Sequence, residues 1–548
     1  MQQLGKPAFY IGWFLIGLLQ AYQTELLDDE AYYWVYSQFI DWGYYDHPPV
    51  IALLIKAGTS LLPGEAGVRL FMVSMSTLTI AMIHRLTDKK DDPLFYALSL
   101  SILFLQIGGI IAVPDVPVLF FIALYFIILR QFIQKPTLGI SLLLGLVIAL
   151  MLYSKYHGLL IVFFTLAAMP KLLLKWQTWT AAILAGLLFF PHILWQFLNG
   201  LPSLRYHLFE RNATQYKFTF SLEYVLGQIA LAGPFIGWLV LTAAFRNKTA
   251  TPIYRILYWT TLGVFTLFLV ATFKGRAEAN WTAPAYVGLI VMAHQWLTDQ
   301  PSWRKIVFRL LTPSLVVALI LRIYLMIDMK PLGWVKKDEF HKNHEWATAI
   351  QQQADSLPVV FLNSYQRASK YWFYAGDTAF SLNTLQYRRN NYNFWPLEER
   401  LQGKRVLVVH DQRNPIFTDS LPNDKRAMFS LLVDSFYSFS QVEINEIGTP
   451  VLDKKSFRVL LQADFPKGRK IRTQTRIWLA LYGEKNKIAH LLETNLNMEN
   501  ILDASAAGLA TIDLSGVPAG TYRYKWGIET CIPGHPSMNS TSRELVIP

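Results

Sequence analysis

The sequence predicts a multi-span α-helical membrane protein with a C-terminal extracytoplasmic region that combines an α/β domain and a β-sandwich. Hydrophobic residues make up 53% of the 548 residues, and they are concentrated in long apolar runs between residues 1 and 328. Residues 329–548 have the mixed composition of a soluble globular chain. We therefore predict a transmembrane domain over 1–328, an α/β domain over 329–450 and an immunoglobulin-like β-sandwich over 451–548.

The apolar runs have the length of membrane-spanning helices, for which about 20 residues are needed. We predict about eleven transmembrane helices, at 8–26, 67–84, 94–113, 117–134, 138–153, 158–174, 178–196, 223–245, 255–273, 281–297 and 306–327. No small-residue cleavage site follows the first segment, so we expect it to be retained as a span. The shorter segment 48–62 contains Lys56 and predicts an amphipathic helix in the membrane interface.

Basic residues set the predicted orientation of these spans. If the N-terminus is cytoplasmic, the inside loops are short and carry residues such as Lys89, Lys90, Arg304 and Lys305, as the positive-inside rule requires. The odd number of spans then places the C-terminal region outside the cytoplasmic (inner) membrane. These membrane flanks account for the net charge of +12, so we do not predict nucleic acid as a partner.

Three consecutive acids, Asp28, Asp29 and Glu30, follow the first apolar segment and precede many aromatic residues in LLDDEAYYWVYSQFIDWGYYDHPP. Charge is costly in hydrocarbon, so acids at its edge usually mark a site. Any one of them could be a helix N-cap, but one cap needs only one acid. Carboxylates beside aromatic rings at a membrane surface indicate acid–base chemistry on a lipid-linked sugar.

Two further acids lie in the predicted outer loops. Asp46 lies beside His47 in YYDHPP, where a simple turn residue before proline is the alternative. Asp115 lies in VPDVP, where a helix N-terminus would also favour an acid. Both acids and His47 remain candidates because they fall on the same outer side as the acidic triplet.

Several basic and polar side chains also fall on the outer side, against the positive-inside trend. Snorkelling at span ends would explain any one of the cations, but a lipid phosphate at the interface would explain them together, since Lys and Arg bind phosphate through charge-assisted hydrogen bonds. The candidate substrate-binding residues in this group are Arg69, Lys155, His157, Lys274, Arg276, Glu278 and Asn280.

A metal centre is not predicted. The single cysteine, Cys531, can form neither an internal disulfide nor a metal cluster. The histidines His47, His157, His192 and His207 lack metal-ligand spacing, and His192 is more readily explained as a structural residue at the end of a span.

The C-terminal half contains two kinds of pattern. Segments 358–362 and 405–410 resemble short buried strands, and helical stretches are predicted at 338–356 and 364–375. From about residue 451, alternating segments such as SFRVLLQADF and GTYRYKWGIE recur between turns. Regular short strands of this kind predict a β-sandwich, without the cysteine pair of a true immunoglobulin domain.

These motifs resemble the GT-C superfamily of integral membrane glycosyltransferases, in the branch of the protein O-mannosyltransferases and the lipid A aminoarabinose transferase. The matching segments are DDEAYYWVYSQFIDWGYYDHPPVIALLI, VRL at 68–70, VPDVPVLFF, YSKYHGLL, FPHILWQFLNG and KGRAEANWTAPAYVGL. The resemblance implies a polyprenyl-phosphate-sugar donor, transfer at the outer membrane face, inversion at the anomeric carbon and a catalytic aspartate in the first outer loop. That aspartate corresponds to Asp29, and the second Pro-Asp element of the family corresponds to Asp115. The β-sandwich departs from the best-known members, which leaves the acceptor open among lipid, glycan and protein.

The residues themselves fit such a reaction. Polyprenyl phosphate is a good leaving group, so the reaction needs charge stabilisation on the phosphate and a base for the acceptor hydroxyl. We assign the base to Asp29 with Asp115 or Glu30 as helper, and the phosphate to the four outer cations Arg69, Lys155, Lys274 and Arg276. No cofactor or divalent cation is then required.

Two other classes of function are alternatives to an enzyme that transfers a sugar. A transporter or flippase of lipid-linked saccharides would also use many spans, but it should show polar groups near the midplane and inverted repeats. A membrane anchor for the C-terminal region would need one or two spans. Both explain the one-sided charge clusters less well than an enzyme does.

The predicted orientation can be measured with reporter fusions. A reporter after Pro548 should be exposed on the outer face of the cytoplasmic membrane, and one inserted near Lys89 should be cytoplasmic, because the basic loops stay inside. Cytoplasmic signal from both positions would mean an even number of spans.

Overall fold

The computed structural model describes residues 2–206, 216–247, 251–328, 338–421, 428–453, 455–464, 474–483, 487–501 and 507–548. The chain divides into two compact units, Met1–His341 and Lys342–Pro548. The first is helical, and the second contains all of the strands that the structure describes.

The first unit is built from hydrophobic helices joined by short connections. Its α-helices are α1 (Gln2–Gln23), α2 (Asp28–Gln38), α3 (Val50–Leu61), α4 (Gly64–Leu86), α5 (Asp92–Ser101), α6 (Asp115–Gln134), α7 (Leu138–Ser154), α8 (Gly158–Ala168), α9 (Trp176–Leu198), α10 (Pro202–Arg205), α11 (Phe218–Leu231), α12 (Gly237–Arg246), α13 (Pro252–Ala271), α14 (Tyr286–Thr298) and α15 (Pro301–Met326). Among the described residues, five helices are long and apolar enough to cross a membrane, namely α4, α6, α9, α13 and α15.

The predicted count of eleven spans is not confirmed, since several apolar runs are broken. The run 94–113 ends as α-helix at Ser101 and continues as a π-helical turn over Phe104–Gly108. The run 223–245 is divided between α11 and α12, with Gly233 and Pro234 between them. Gly233 has φ +120°, and proline disfavours continuation of a helix. Apolar composition continues across such breaks, so the hydropathy pattern does not reveal them.

Burial distinguishes central helices from peripheral ones. Nearly every side chain of α14 is buried, and α4 and α6 bury most of their apolar windows. By contrast α9 exposes large apolar side chains, among them Ile183, Leu187 and Phe197. Exposed apolar surface on this scale is stable in hydrocarbon and not in water, which agrees with a multi-pass membrane protein.

The second unit begins with an α/β layer. Its helices are α16 (Asn343–Ala354) and α17 (Tyr365–Ala375), and its sheet has the order β2-β1-β3-β5-β4. The strands are β1 (Val359–Leu362), β2 (Ala379–Leu382), β3 (Val406–His410), β4 (Asp419–Leu421) and β5 (Met428–Val433). Strands β1, β2 and β3 are parallel, and helix α17 connects β1 to β2.

Two antiparallel sheets complete this unit. The sheet β10-β7-β6 and the sheet β12-β11-β8-β9, to which β13 adds by pairing with β11, enclose a shared apolar core. The strands are β6 (Glu443–Leu452), β7 (Ser456–Asp464), β8 (Arg476–Tyr482), β9 (Ile488–Asn497), β10 (Gly508–Asp513), β11 (Gly520–Ile528), β12 (Ser537–Met538) and β13 (Arg543–Ile547). The β-rich region thus begins at Glu443, before the expected boundary at 451.

A buried carboxylate connects the two sheets of this sandwich. Glu446 of β6 accepts hydrogen bonds from Trp526 Nε1 at 2.7 Å and from Tyr524 Oη at 3.1 Å, both on β11. Arg543 of β13 adds an ion pair at 2.7 Å. A buried charge is tolerated when it is paired and hydrogen-bonded in this way.

Candidate active site

The acidic triplet forms the first turn of α2, and its N-cap is Leu27. None of the three acids is therefore the cap, although acids are favoured at a helix N-terminus by the helix dipole. Their surroundings differ, because Glu30 is completely buried, Asp28 is half-buried and Asp29 is exposed. Asp29 is thus the most exposed of the three acids.

Glu30 and Arg69 form a buried ion pair. Arg69 Nε donates to Glu30 Oε1 at 2.7 Å, and Nη2 donates to Oε2 at 2.5 Å. The remaining N–H groups of Arg69 donate to the carbonyls of Ala21, Thr24 and Glu25. All five donors of a guanidinium are thereby engaged inside the protein.

This geometry corrects two sequence-based assignments. Arg69 was expected to bind a lipid phosphate, but its side chain is 1% exposed and its donors are directed to protein acceptors. Glu30 was expected to assist catalysis, but its carboxylate accepts from Arg69, from the Leu27 amide at 2.9 Å and from the Ala112 amide at 2.7 Å. Both residues are structural in this arrangement.

The Ala112 contact connects the acidic triplet to the second candidate acid. Asp115 begins α6 three residues after Ala112 and is buried. Lys155 Nζ, at the C-cap of α7, lies 2.8 Å from Asp115 Oδ1, and Asn280 Nδ2 donates to Oδ2 at 3.2 Å. The structure therefore brings together three residues that the sequence separates by up to 165 positions.

A cavity of 520 Å³ lies beside Lys155. Its polar lining residues are His47, Lys155, Tyr156, His157, His192, Gln196 and Ser203. Its apolar lining residues are Leu159, Leu160, Phe189, Ile193, Leu201, Leu204, Leu267, Phe268 and Trp281. The His157 ring packs edge-on against Phe268 at 5.2 Å between centroids and lies 6.1 Å from Trp281.

A hydrogen-bond network that the sequence did not predict holds one wall of this cavity. His192 Nδ1 donates to the Trp42 carbonyl at 2.7 Å, so its Nε2 accepts from the Tyr156 hydroxyl at 2.8 Å. Gln196 Nε2 donates to Ser203 Oγ at 2.8 Å, and Ser203 Oγ donates to the Tyr44 carbonyl at 3.0 Å. Burial raises the pKa of the Tyr156 hydroxyl, which keeps its proton available for His192.

The network depends on close contact between α9 and the loop that joins α2 to α3. A Cβ added at Gly43 would lie 2.5 Å from Trp195 Cε3 and 2.9 Å from His192 Nδ1, so only glycine fits there. The sequence favours a structural role for His192, and both of its ring nitrogens form hydrogen bonds within the protein. Tyr156 lies between Lys155 and His157 in YSKYHG, and this position is the one signal that could have identified it.

The other loop residues lie around this centre. Asp46 is buried and accepts from Tyr36 Oη at 3.5 Å, and the His47 ring packs edge-on against Tyr33 at 5.5 Å. Burial is the main reason that the pKa of Tyr36 is raised.

The segment after α13 presents the more exposed cations. Lys274 and Arg276 are both exposed. Arg276 Nε lies 3.6 Å from Glu223 and 3.9 Å from Glu278, distances that correspond to weak pairing at a surface. Four residues beyond Arg276, Asn280 reaches Asp115.

One group with metal-ligand spacing occurs within the described ranges, formed by Asp328, Asp338 and His341 with ligand atoms within 4.8 Å. His341 Nδ1 lies 2.8 Å from Asp338 Oδ2, and His341 Nε2 donates to the Tyr324 carbonyl at 2.7 Å. Hydrogen bonds within the protein account for both ring nitrogens, and we assign no metal to this group.

Comparison with known proteins agrees with this architecture. Residues 46–195 match the family model described as dolichyl-phosphate-mannose-protein mannosyltransferase. A curated relative, the lipid A galacturonosyltransferase RgtD of Rhizobium johnstonii, is 26% identical over 291 residues. The match covers 50% of this chain and 61% of the relative, so the chain spans about three-fifths of the relative's length.

Solved structures show the same fold. The apo structure of ArnT from Cupriavidus metallidurans aligns over 78% of this chain and 98% of ArnT, with a TM-score of 0.57 and 12% identity. The structure of ArnT bound to undecaprenyl phosphate aligns over the same shares, with a TM-score of 0.56 and 13% identity. The chain therefore has the fold of ArnT, as the resemblance stated from the sequence implied.

The buried ion pair yields a test of stability. Arg69→Met should lower the free energy of unfolding by about 3–5 kcal/mol, because the Glu30 carboxylate would be left buried without its partner. The measurement is thermal unfolding of the purified protein in detergent. The double variant Arg69→Met/Glu30→Gln should recover part of the loss, and Arg276→Met serves as the exposed control. Equal stability of Arg69→Met and the wild type would contradict a structural role.

Proposed function

We propose that this protein transfers a sugar from a polyprenyl-phosphate donor to an acceptor hydroxyl at the outer face of the cytoplasmic membrane, with inversion at the anomeric carbon. The observation that carries the proposal is the buried Lys155–Asp115 pair, which lies beside an apolar cavity of 520 Å³. The segment just before Asp115 is hydrogen-bonded to Glu30, which lies in the same helical turn as Asp29. The ArnT structure of the same fold was solved with undecaprenyl phosphate, which favours a lipid-linked donor here.

The cavity suits the donor lipid. Leu159, Leu160, Ile193, Leu204 and Leu267 offer an apolar surface for an isoprenoid chain. Lys155 and His157 are at the polar part of the same lining, where a phosphate would meet them. An apolar pocket with few polar groups is the usual form of a small-ligand site.

The phosphate is assigned to Lys155, Lys274 and Arg276. Lys155 is held by Asp115, whose second oxygen is held by Asn280, so its ammonium group is positioned before substrate arrives. Preorganised positive charge of this kind stabilises negative charge that develops on a leaving group. Lys274 and Arg276 are exposed and are free to turn toward a lipid headgroup at the interface.

The base is assigned to Asp29. Its carboxylate takes the proton of the acceptor hydroxyl while the acceptor oxygen forms a bond to the anomeric carbon. The bond between that carbon and the phosphate oxygen breaks, and the lipid phosphate leaves with the electron pair. A single displacement from the opposite face inverts the anomeric centre.

The acceptor is assigned only as a hydroxyl compound. The curated relative is named for lipid A and the family model for proteins, so the two names carry different acceptors. Glycolipids and glycoproteins are therefore both to be assayed.

The role of Asp29 can be tested by an isosteric substitution. Asp29→Asn should lower transfer by roughly 10²–10⁴-fold, the range for loss of a positioned acid–base group. Transfer is measured by mass spectrometry of glycolipids and glycoproteins from membranes that carry each variant. Asp28→Asn, in the same helical turn, is the matched control and should have much less effect. Near wild-type turnover of Asp29→Asn would remove this residue from the mechanism.

The role of Arg276 can be tested through donor dependence. Arg276→Ala should raise the KM for the donor about tenfold, equivalent to about 1.4 kcal/mol, and leave acceptor dependence unchanged. Arg276→Lys should restore only part of the loss, because a guanidinium binds two phosphate oxygens and an ammonium acts as a point charge. Arg255→Ala is the control, since this exposed arginine lies at the opposite end of α13. Full recovery with lysine would favour snorkelling instead.

A further inference from the structure

The second unit contains a cavity of 570 Å³ that the transfer reaction does not use. It lies at the amino ends of β1 and β2, where Val359, Ala379 and Phe380 line it. The end of α16, the turn before β1 and the 3₁₀ turn Glu398–Leu401 form its other walls. Its remaining lining includes the polar residues Gln351, Ser356, Asp377, Thr378, Arg400 and Lys404.

Packing at the carboxyl ends of the strands explains why the cavity lies at their amino ends. Ligands of open α/β sheets usually bind at the carboxyl ends of the strands. Here the chain after β2 is covered, because Thr384 bridges to Ser537 of the sandwich and the Leu385 amide donates to the Pro536 carbonyl at 2.9 Å. The amino edge therefore offers the open space in this layer.

The turn that forms the cavity rim is strained. Asp355 and Ser356 are consecutive non-glycine residues with φ of +45° and +66°. This left-handed conformation is unfavourable for residues with a side chain, and it persists only where surrounding structure requires it. The turn places Ser356 in the cavity lining and is followed at once by Leu357 and Pro358.

The charges at the cavity are unbalanced. Asp377 is already engaged, since Gln351 Nε2 donates to its Oδ2 at 2.5 Å. Arg400 and Lys404 are exposed at the rim. No carboxylate within the described residues forms an ion pair with either cation. Two cations that form no ion pair within the described part of the chain, beside one hydrogen-bonded acid, favour an anionic ligand.

We propose that this cavity binds an anionic saccharide, a sugar that carries a phosphate or a carboxylate group. Arg400 and Lys404 would hold the anionic group through charge-assisted hydrogen bonds. The hydroxyl and amide groups of Ser356, Thr378 and Gln351 would exchange hydrogen bonds with sugar hydroxyls, while Leu357 and Leu401 contact the apolar face of the ring. The site is separate from the transfer chemistry and does not depend on the proposed function.

The test is isothermal titration calorimetry of the full-length protein in detergent, with glucose 6-phosphate as the probe. Binding should be at least about tenfold tighter than that of glucose or of inorganic phosphate, because only the sugar phosphate engages both the cations and the hydroxyl-binding groups. Equal binding of inorganic phosphate would overturn the saccharide assignment, and absence of binding of glucose 6-phosphate would overturn the site.

Matched variants locate the binding. Arg400→Gln/Lys404→Gln should weaken glucose 6-phosphate binding at least about tenfold, and both side chains are exposed, so the fold is kept. Arg405→Gln removes a neighbouring exposed cation that pairs with Asp434 at 3.0 Å and does not line the cavity, and it should bind as the wild type does. Unchanged binding by the double variant would place the saccharide elsewhere and overturn the proposal.

A competition experiment distinguishes a lipid-borne saccharide from a water-soluble one. Monophosphoryl lipid A in detergent is added to the complex with glucose 6-phosphate. Displacement of glucose 6-phosphate from the wild type assigns a lipid-borne saccharide to the cavity, and binding of glucose 6-phosphate without displacement assigns a water-soluble one. Both readings support the site and measure binding, so they stay informative even if the transfer reaction is disproved.

Discussion

The ion pair between Glu30 and Arg69 is the interaction on which the membrane unit depends. It joins the end of α1, the start of α2, the first turns of α4 and the segment before α6 through one buried carboxylate and one guanidinium. Removing two charges from water is costly, and the cost is offset only when every donor and acceptor is satisfied. Here the five donors of Arg69 and the carboxylate of Glu30 meet that condition.

This buried pair explains how adjacent acids acquire different roles. Glu30 is enclosed and saturated, whereas Asp29, one position earlier on the same helical turn, is exposed. Successive residues of a helix point about 100° apart, so one turn can direct one acid into the protein interior and its neighbour to the surface. The arginines show the same contrast between buried and exposed side chains, because Arg69 is buried and Arg276 is 64% exposed.

The second pair, Asp115 with Lys155, is less completely enclosed by protein bonds, which is why the proposed function places the phosphate beside it. Lys155 has one carboxylate partner and lines the cavity, whereas Arg69 has no donor left. The Tyr156–His192 bonds fix the wall in which Lys155 lies. A transporter should carry charges near the membrane midplane. The Asp115–Lys155 pair instead lies at helix ends, at the start of α6 and the end of α7.

The sequence alone determined the class of the protein, because apolar runs, one-sided charge and motif order are properties of the linear chain. It located α3, α16, α17, β1 and β3 closely, and it identified Asp29, Asp115, Lys155 and Asn280 as candidates. Only the tertiary structure decided which of them meet, since Asn280 reaches Asp115 across 165 positions. It also reassigned Glu30 and Arg69, because burial and hydrogen-bond saturation arise from packing between distant segments and leave no trace in local sequence.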